Sequence, residues 1–185
     1  MKEKYINLLK STKRENIESL ISYLENETDF FKAPASSRFH GNYEGGLLEH
    51  SLNVYTRLSL LNKIEEKKLS EESIIISSLL HDICKVNMYV VELRNTKNEC
   101  GEWIKVPFFK AFDKSPYGHG EKSVREIEKF IKISEEEAYA IRWHMGAFEG
   151  ERFYNLIDSV YTSNLLALLL HHADVYASKR MEKTV

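Results

Sequence analysis

The sequence has only two cysteines, Cys84 and Cys100. They stand in no CxxC and no zinc-finger spacing, and a disulfide framework would need more of them. A reducing, cytoplasmic setting is expected. Long apolar runs are missing too. The longest, Leu165 to Leu170, falls far short of the ~20 residues of a membrane span, so no membrane partner is expected. The first residues, Met1-Lys2-Glu3-Lys4-Tyr5, lack the apolar stretch of a signal peptide. Excess positive charge is also absent. The formal net charge is −2, whereas a protein built to grip duplex nucleic acid carries a clear basic excess. With no internal repeat and no low-complexity linker, residues 1–185 are read as one domain.

What is present is ordinary globular material: 43% hydrophobic and 29% charged residues, enough for one core. Ile17, Leu20, Ile21 and Leu24 recur at helical spacing. A loop with Pro34, Gly41, Gly45 and Gly46 follows. A helix is predicted from Gly46 to about Asn62, another from an N-cap at Ser70 to about Ile83, and a third over Glu121–Lys132. Ser134 with Glu137 reads as a capping box opening a helix that reaches about His144. The last helix is predicted from about Ser163 to Lys179. One stretch breaks the pattern. Met88–Leu93 and Trp103–Val106 alternate like strands around a turn-rich connector. The fold class expected is therefore all-α, a helical bundle with a small β-hairpin inserted at about 88–108.

The chemistry lies in histidines and aspartates. His50 shares a helix face with Leu47 and Val54, so it points inward. A lone histidine there is more often a hydrogen-bonded core residue. His81-Asp82 follows the apolar Ile74–Leu80 segment, and the turn behind it holds only Ser77 and Ser78, which leaves room for an ion. A carboxylate there is costly unless paired or metal-bound. Asp174 sits in the most apolar helix, where a charge wants a cation; a buried ion pair with a distant base would also serve. His119 stands between Gly118 and Gly120 at a helix start, which permits close backbone approach. His144 ends the helix begun at Ser134, where interaction with the helix dipole is a plain alternative. Histidines and carboxylates together form a ligand set for a divalent transition metal.

The ordered set His50, His81-Asp82, His119, His144, Asp174 resembles the HD-domain superfamily of metal-dependent phosphohydrolases. The stretch Phe39-His40-Gly41-Asn42-Tyr43-Glu44-Gly45-Gly46-Leu47-Leu48-Glu49-His50 resembles the entry to the first ligand, and Leu80-His81-Asp82-Ile83-Cys84-Lys85 the core motif. The pattern is similar to the HD domains of bacterial 3′-to-5′ exoribonucleases and of small prophage-encoded HD proteins. Two departures stand out: the core motif often has Gly where this chain has Cys84, and the subgroup often has His-His where this chain has Trp143-His144.

The resemblance implies one or two divalent ions, of Mn, Fe, Zn, Ni or Mg. His50, His81, Asp82 and Asp174 would hold the first, and Asp82 would bridge to a second held by His119 and His144. Asp82 and Lys85 are the implied catalytic residues, Lys85 by neutralising a phosphate oxygen or else as a solvated helix-end lysine. His171, one turn before Asp174, is a candidate to orient it from behind. His40 and His172 are read as structural, and Arg142 as a surface residue. Tyr89, Trp103, Phe108, Phe109, Phe112 and Tyr117 either stack on a base or cover the hairpin's own core, the reading preferred here. The expected partner is a small phosphorylated substrate of nucleotide type, with a single-stranded nucleic acid end as a further candidate. A di-iron HD-type oxygenase and a non-catalytic nucleotide-sensing module are the competing functions.

Overall fold

The Ile17–Leu24 stripe folds as anticipated in the computed structural model, which describes residues 1–113 and 115–183. Helix α1 (Lys2–Ser11) precedes α2 (Ile17–Asn26). Helix α3 covers Gly46–Ile64 and α4 covers Glu71–Leu80. The hairpin strands are β1 (Tyr89–Lys97) and β2 (Trp103–Ala111). Helices α5 (His119–Glu128), α6 (Glu135–Trp143), α7 (Tyr154–Ser163) and α8 (Leu165–Tyr176) complete the set.

Local chemistry explains where these helices start and stop. Ser70 Oγ accepts the Ser73 N–H at 3.0 Å and opens α4. Helix α4 ends at Leu80, short of the expected Ile83, because Asp82 leaves helical geometry (φ −108°, ψ 15°). Its carbonyl oxygen then accepts the Lys85 N–H in a tighter 3₁₀ turn over Ile83–Lys85. The capping box at Ser134 is present, with Ser134 N–H donating to Glu137 Oε2 at 2.8 Å and Glu137 N–H to Ser134 Oγ at 3.2 Å. Asn164 Oδ1 accepts the Ala167 N–H, which separates α7 from α8 and moves the expected start from Ser163 to Leu165. Helix α8 then runs into a π-turn over Ala177–Met181. Helix α5 begins two residues before the expected Glu121 and tightens at Phe130, whose N–H donates to the Ile127 carbonyl.

Two buried clusters form the core. One gathers Tyr5, Leu9, Leu20, Leu24 and Phe30 around Leu47, Leu79, Leu80 and Ile141. The other joins Val54, Leu58 and Ile74 to Ala140, Leu166, Leu170 and Ala173. Each fully buried leucine contributes about 1.5–3 kcal/mol of transfer free energy. Helices α3, α4 and α6 supply both clusters, and α3 packs on α4 and α8 while α6 packs on α5 and α8. That interlocking is what brings the histidine-bearing positions of separate helices to one place.

The hairpin differs from its expected bounds and role. The strands pair antiparallel from Tyr89↔Ala111 to Lys97↔Trp103. Asn98 Oδ1 accepts the N–H groups of Cys100 and Glu102 at 3.0 and 2.9 Å. The turn therefore needs only 98–102, and Arg94–Lys97 joins the ladder. Pro107 is tolerated because each strand of a two-stranded ribbon has an open edge. The aromatics only partly cover the hairpin: Tyr89 and Phe109 meet edge to face across the strands with ring centroids 6.5 Å apart, and both are half-buried, but Trp103 and Phe112 are not covered. Trp103 is 70% exposed and Phe112 58%, since a lone ribbon has no second layer to bury either face. Among the described residues, no helix is long and apolar enough to cross a membrane.

Candidate metal centre

Five packed helices supply the side chains. His50 comes from the second turn of α3, His81-Asp82 from the C-cap of α4 and the residue after it, His119 from the first residue of α5, His144 from the C-cap of α6 and Asp174 from α8. The structure brings all six together. His50, His81, Asp82 and His144 are at most 2% exposed, and the Asp174 and His119 side chains are 15% and 23% exposed.

The ring orientations follow from the second nitrogen of each imidazole. His81 Nδ1 lies 2.8 Å from the Ser78 carbonyl oxygen, and His144 Nδ1 lies 2.7 Å from that of Ile141. His50 Nδ1 lies 2.9 and 3.2 Å from the two oxygens of Glu182. Only N–H groups can face these acceptors, so each Nδ1 is assigned the proton. The Nε2 atoms are left to face the centre.

They converge closely. His50 Nε2 is 3.1 Å from His81 Nε2, 3.2 Å from Asp174 Oδ1 and 3.5 Å from Asp82 Oδ2. His81 Nε2 is also 3.5 Å from Asp82 Oδ2. Two imidazole nitrogens at 3.1 Å repel unless a proton or cation lies between them. Donor atoms about 2.0–2.2 Å from one ion sit roughly 3.0–3.5 Å from each other, and the observed spacings match. Without a metal, a proton supplies the positive charge. Burial pulls His50 down, but Asp174 and Glu182 outweigh it and raise His50 to about 10. Burial dominates at His81, which falls to about 3 although Asp82 opposes the shift.

The two oxygens of Asp82 divide the centre. Oδ2 faces His50 and His81, with Lys85 Nζ at 2.6 Å. Oδ1 faces His119 Nε2 at 2.5 Å and His144 Nε2 at 3.6 Å. Burial opposes charge on Asp82, yet Lys85 and the adjacent histidines hold it well below the usual carboxylate range. Asp82 thus presents one oxygen to His50 and His81 and the other to His119 and His144.

The geometry agrees with the comparison to known proteins, which matches the HD domain family over residues 47–179. The chain belongs to that family. One relative is the dihydroneopterin 2′,3′-cyclic phosphate phosphodiesterase of Methanocaldococcus jannaschii. It is 39% identical over 64 residues, which cover 32% of this chain and 25% of the relative. The matched stretch thus spans about a quarter of that phosphodiesterase. No solved structure matches the chain.

Around this HD-domain centre the structure adds residues that sequence reasoning missed. Glu182 lies 132 positions from His50, and its side chain is fully buried. Asn53 Nδ2 donates to it at 3.3 Å. No periodicity or motif marks it, because it follows an irregular π-turn. His40, read as structural, stands beside His50 with ring centroids 4.9 Å apart. Burial, aided by the His50 and Lys85 charges, lowers it to about 4. His171 meets the site by an unexpected route. Its Nδ1–H donates to the His144 carbonyl at 2.7 Å, so it holds the α6 terminus rather than the Asp174 carboxylate. His172 is exposed. Arg142 is not a surface residue. Its side chain is 13% exposed, stacks on Trp143 and pairs with Glu121 and Glu149 at 2.8 and 3.0 Å, tying α5 to α6.

Beside the centre lies a cleft of about 580 Å³. Cys84 and Ile83 form part of it, the hairpin base contributes Met88 and Phe112, and the α5 side contributes Tyr117 and Arg125. The Arg125 guanidinium lies 4.5 Å from the Tyr117 ring centre.

Proposed function

We propose that this HD domain is a metal-dependent phosphohydrolase acting on a small phosphate ester of nucleotide type. One observation carries the reading: the Nε2 atoms of His50 and His81 face each other at 3.1 Å beside a doubly gripped Asp82. In this reading His50, His81, Asp82 and Asp174 would hold one divalent ion, and Asp82, His119 and His144 would hold a second. When bound, such ions supply Lewis acidity and lower the pKa of a coordinated water.

The protein's own groups do the rest. Lys85 keeps an ammonium against Asp82 at 2.6 Å, where it can neutralise a phosphate oxygen. His171 fixes the backbone that carries His144. The cleft falls within the ~300–1,000 Å³ usual for small-molecule sites, and its Arg125–Tyr117 platform suits a planar ring. The phosphodiesterase relative supports a phosphodiester as the bond attacked. The narrower kinship with exoribonuclease-type and prophage HD proteins rests on the stretch from Phe39 to His50 and on the order of His119 and His144.

The test is metal content by elemental analysis followed by assay on bis(p-nitrophenyl) phosphate and 2′,3′-cyclic nucleotides. Bound transition metal, loss of activity on chelation and recovery on metal addition are expected. His81→Ala and Asp82→Ala proteins that bind metal as well as the parent would refute the site. Oxygen consumption without hydrolysis of either ester would favour the oxygenase.

A further inference from the structure

We propose that the Cys84 thiolate is a ligand of the second ion, together with Asp82 and His119, and that it makes this position select zinc-class ions over magnesium and manganese. The inference rests on the two-ion reading above and adds a protein ligand to it.

Asp82 and Cys84 lie two residues apart on either side of Ile83, at the start of the 3₁₀ turn. That turn is pinned to α5, since the Cys84 N–H donates to Oγ of the buried Ser123 at 3.3 Å. The pinning places Cys84 Sγ 3.4 Å from His119 Nδ1 and 3.6 Å from His119 Nε2. The same Nε2 contacts Asp82 Oδ1 at 2.5 Å. Ligand atoms of Asp82, Cys84 and His119 all lie within 4.8 Å of one another.

These spacings fit a metal. A tetrahedral ion with nitrogen at about 2.1 Å and sulfur at about 2.3 Å sets the two roughly 3.6 Å apart, the Nε2–Sγ separation found. Sγ also lies 3.4 Å from Nδ1, beside the ring, so ligation turns the Cys84 side chain about its Cα–Cβ bond to bring the sulfur in front of Nε2. His119 Nε2 and Asp82 Oδ1, 2.5 Å apart, supply another edge of the same cluster. His144 reaches the same Asp82 oxygen from the other side, with Nε2 at 3.6 Å. The resulting donor set is two imidazoles, one carboxylate and one thiolate. Thiolate favours zinc and other soft or borderline ions, whereas magnesium and manganese prefer oxygen. Binding releases the thiol proton to solvent. Access is open, because Cys84 lines the cleft.

Cobalt(II) titration of the metal-free protein, in a Cys100→Ser background, tests the proposal. A thiolate-to-cobalt charge-transfer band in the near ultraviolet is expected, joining the visible bands as the second equivalent binds. Adding Cys84→Ser should abolish the near-ultraviolet band and leave the visible bands of the first ion. It should weaken the second zinc equivalent by about tenfold or more while leaving manganese binding little changed. Visible bands without the charge-transfer band in the parent overturn the proposal while sparing the two-ion reading. A band that survives Cys84→Ser overturns it too. No cobalt uptake at all removes the two-ion reading and the proposal with it. A second measurement needs no variant. Saturating zinc should shield Cys84 from alkylation while exposed Cys100 still reacts; equal alkylation of Cys84 with and without zinc contradicts thiolate ligation.

Discussion

Glu182→Ala isolates the contribution of a carboxylate that touches the centre only through His50. Removing the hydrogen-bond partner of a metal-bound histidine costs about 10–100-fold in metal affinity, or about 1.4–2.8 kcal/mol at 1.4 kcal/mol per tenfold. The geometry here points to the upper half of that range. The Glu182 side chain is fully buried, both its oxygens face His50 Nδ1, and Asn53 adds a third contact. Its backbone is anchored as well, since the Gly41 N–H donates to the Lys183 carbonyl at 3.0 Å. About a 50-fold loss is therefore expected for alanine. Glu182→Gln keeps an oxygen for the Nδ1–H but loses the charge, so about tenfold is expected. Affinity for the first ion is read by competition with a chelator of known strength, alongside thermal melts of the metal-free proteins. If both variants bind that ion within about twofold of the parent, Glu182 does not position His50. A lowered melting temperature with unchanged affinity would make it a purely structural tether.

Two further perturbations address the frame. Glu137 is fully buried and takes a bidentate pair from Arg14 at 2.8 and 3.1 Å, besides closing the α6 capping box. Glu137→Ala should cost about 3 kcal/mol, the lower end of the buried-pair range because Arg14 also bonds Glu72; a urea-unfolding loss under 1 kcal/mol would contradict this. At Gly120 an added Cβ would fall 2.2 Å from the Arg142 carbonyl oxygen, and backbone cannot yield as a side-chain end can. Gly120→Ala should destabilise by about 1–3 kcal/mol and push His119 away from His144, so the second metal equivalent weakens more than the first; equal weakening of both, by the same titration, would refute the coupling.

Much of the helical frame was legible because its signals are local. The Ile17–Leu24 stripe, the Ser70 cap and the Ser134–Glu137 box each act within one or two turns, and each appears where expected. Helix α1 escaped notice because only Tyr5 and Leu9 are buried on it, too few to show a period. Helix α7 escaped for a similar reason, with Ile157 as its single buried residue. The hairpin's existence was readable from alternation, but its length depended on the Asn98 side chain closing the turn.

By itself, the sequence determined a helical HD-domain chain with an inserted hairpin and the ordered residues from His50 to Asp174, because helix periods, caps and motif order are written in neighbouring residues. Tertiary structure alone decided which atoms face one another. Glu182 behind His50, His171 behind His144 and Cys84 against His119 are contacts between segments 132, 27 and 35 residues apart. The physical reason is that ring orientation is set by whichever acceptor the packed helices bring to the second nitrogen, and that packing depends on the whole core.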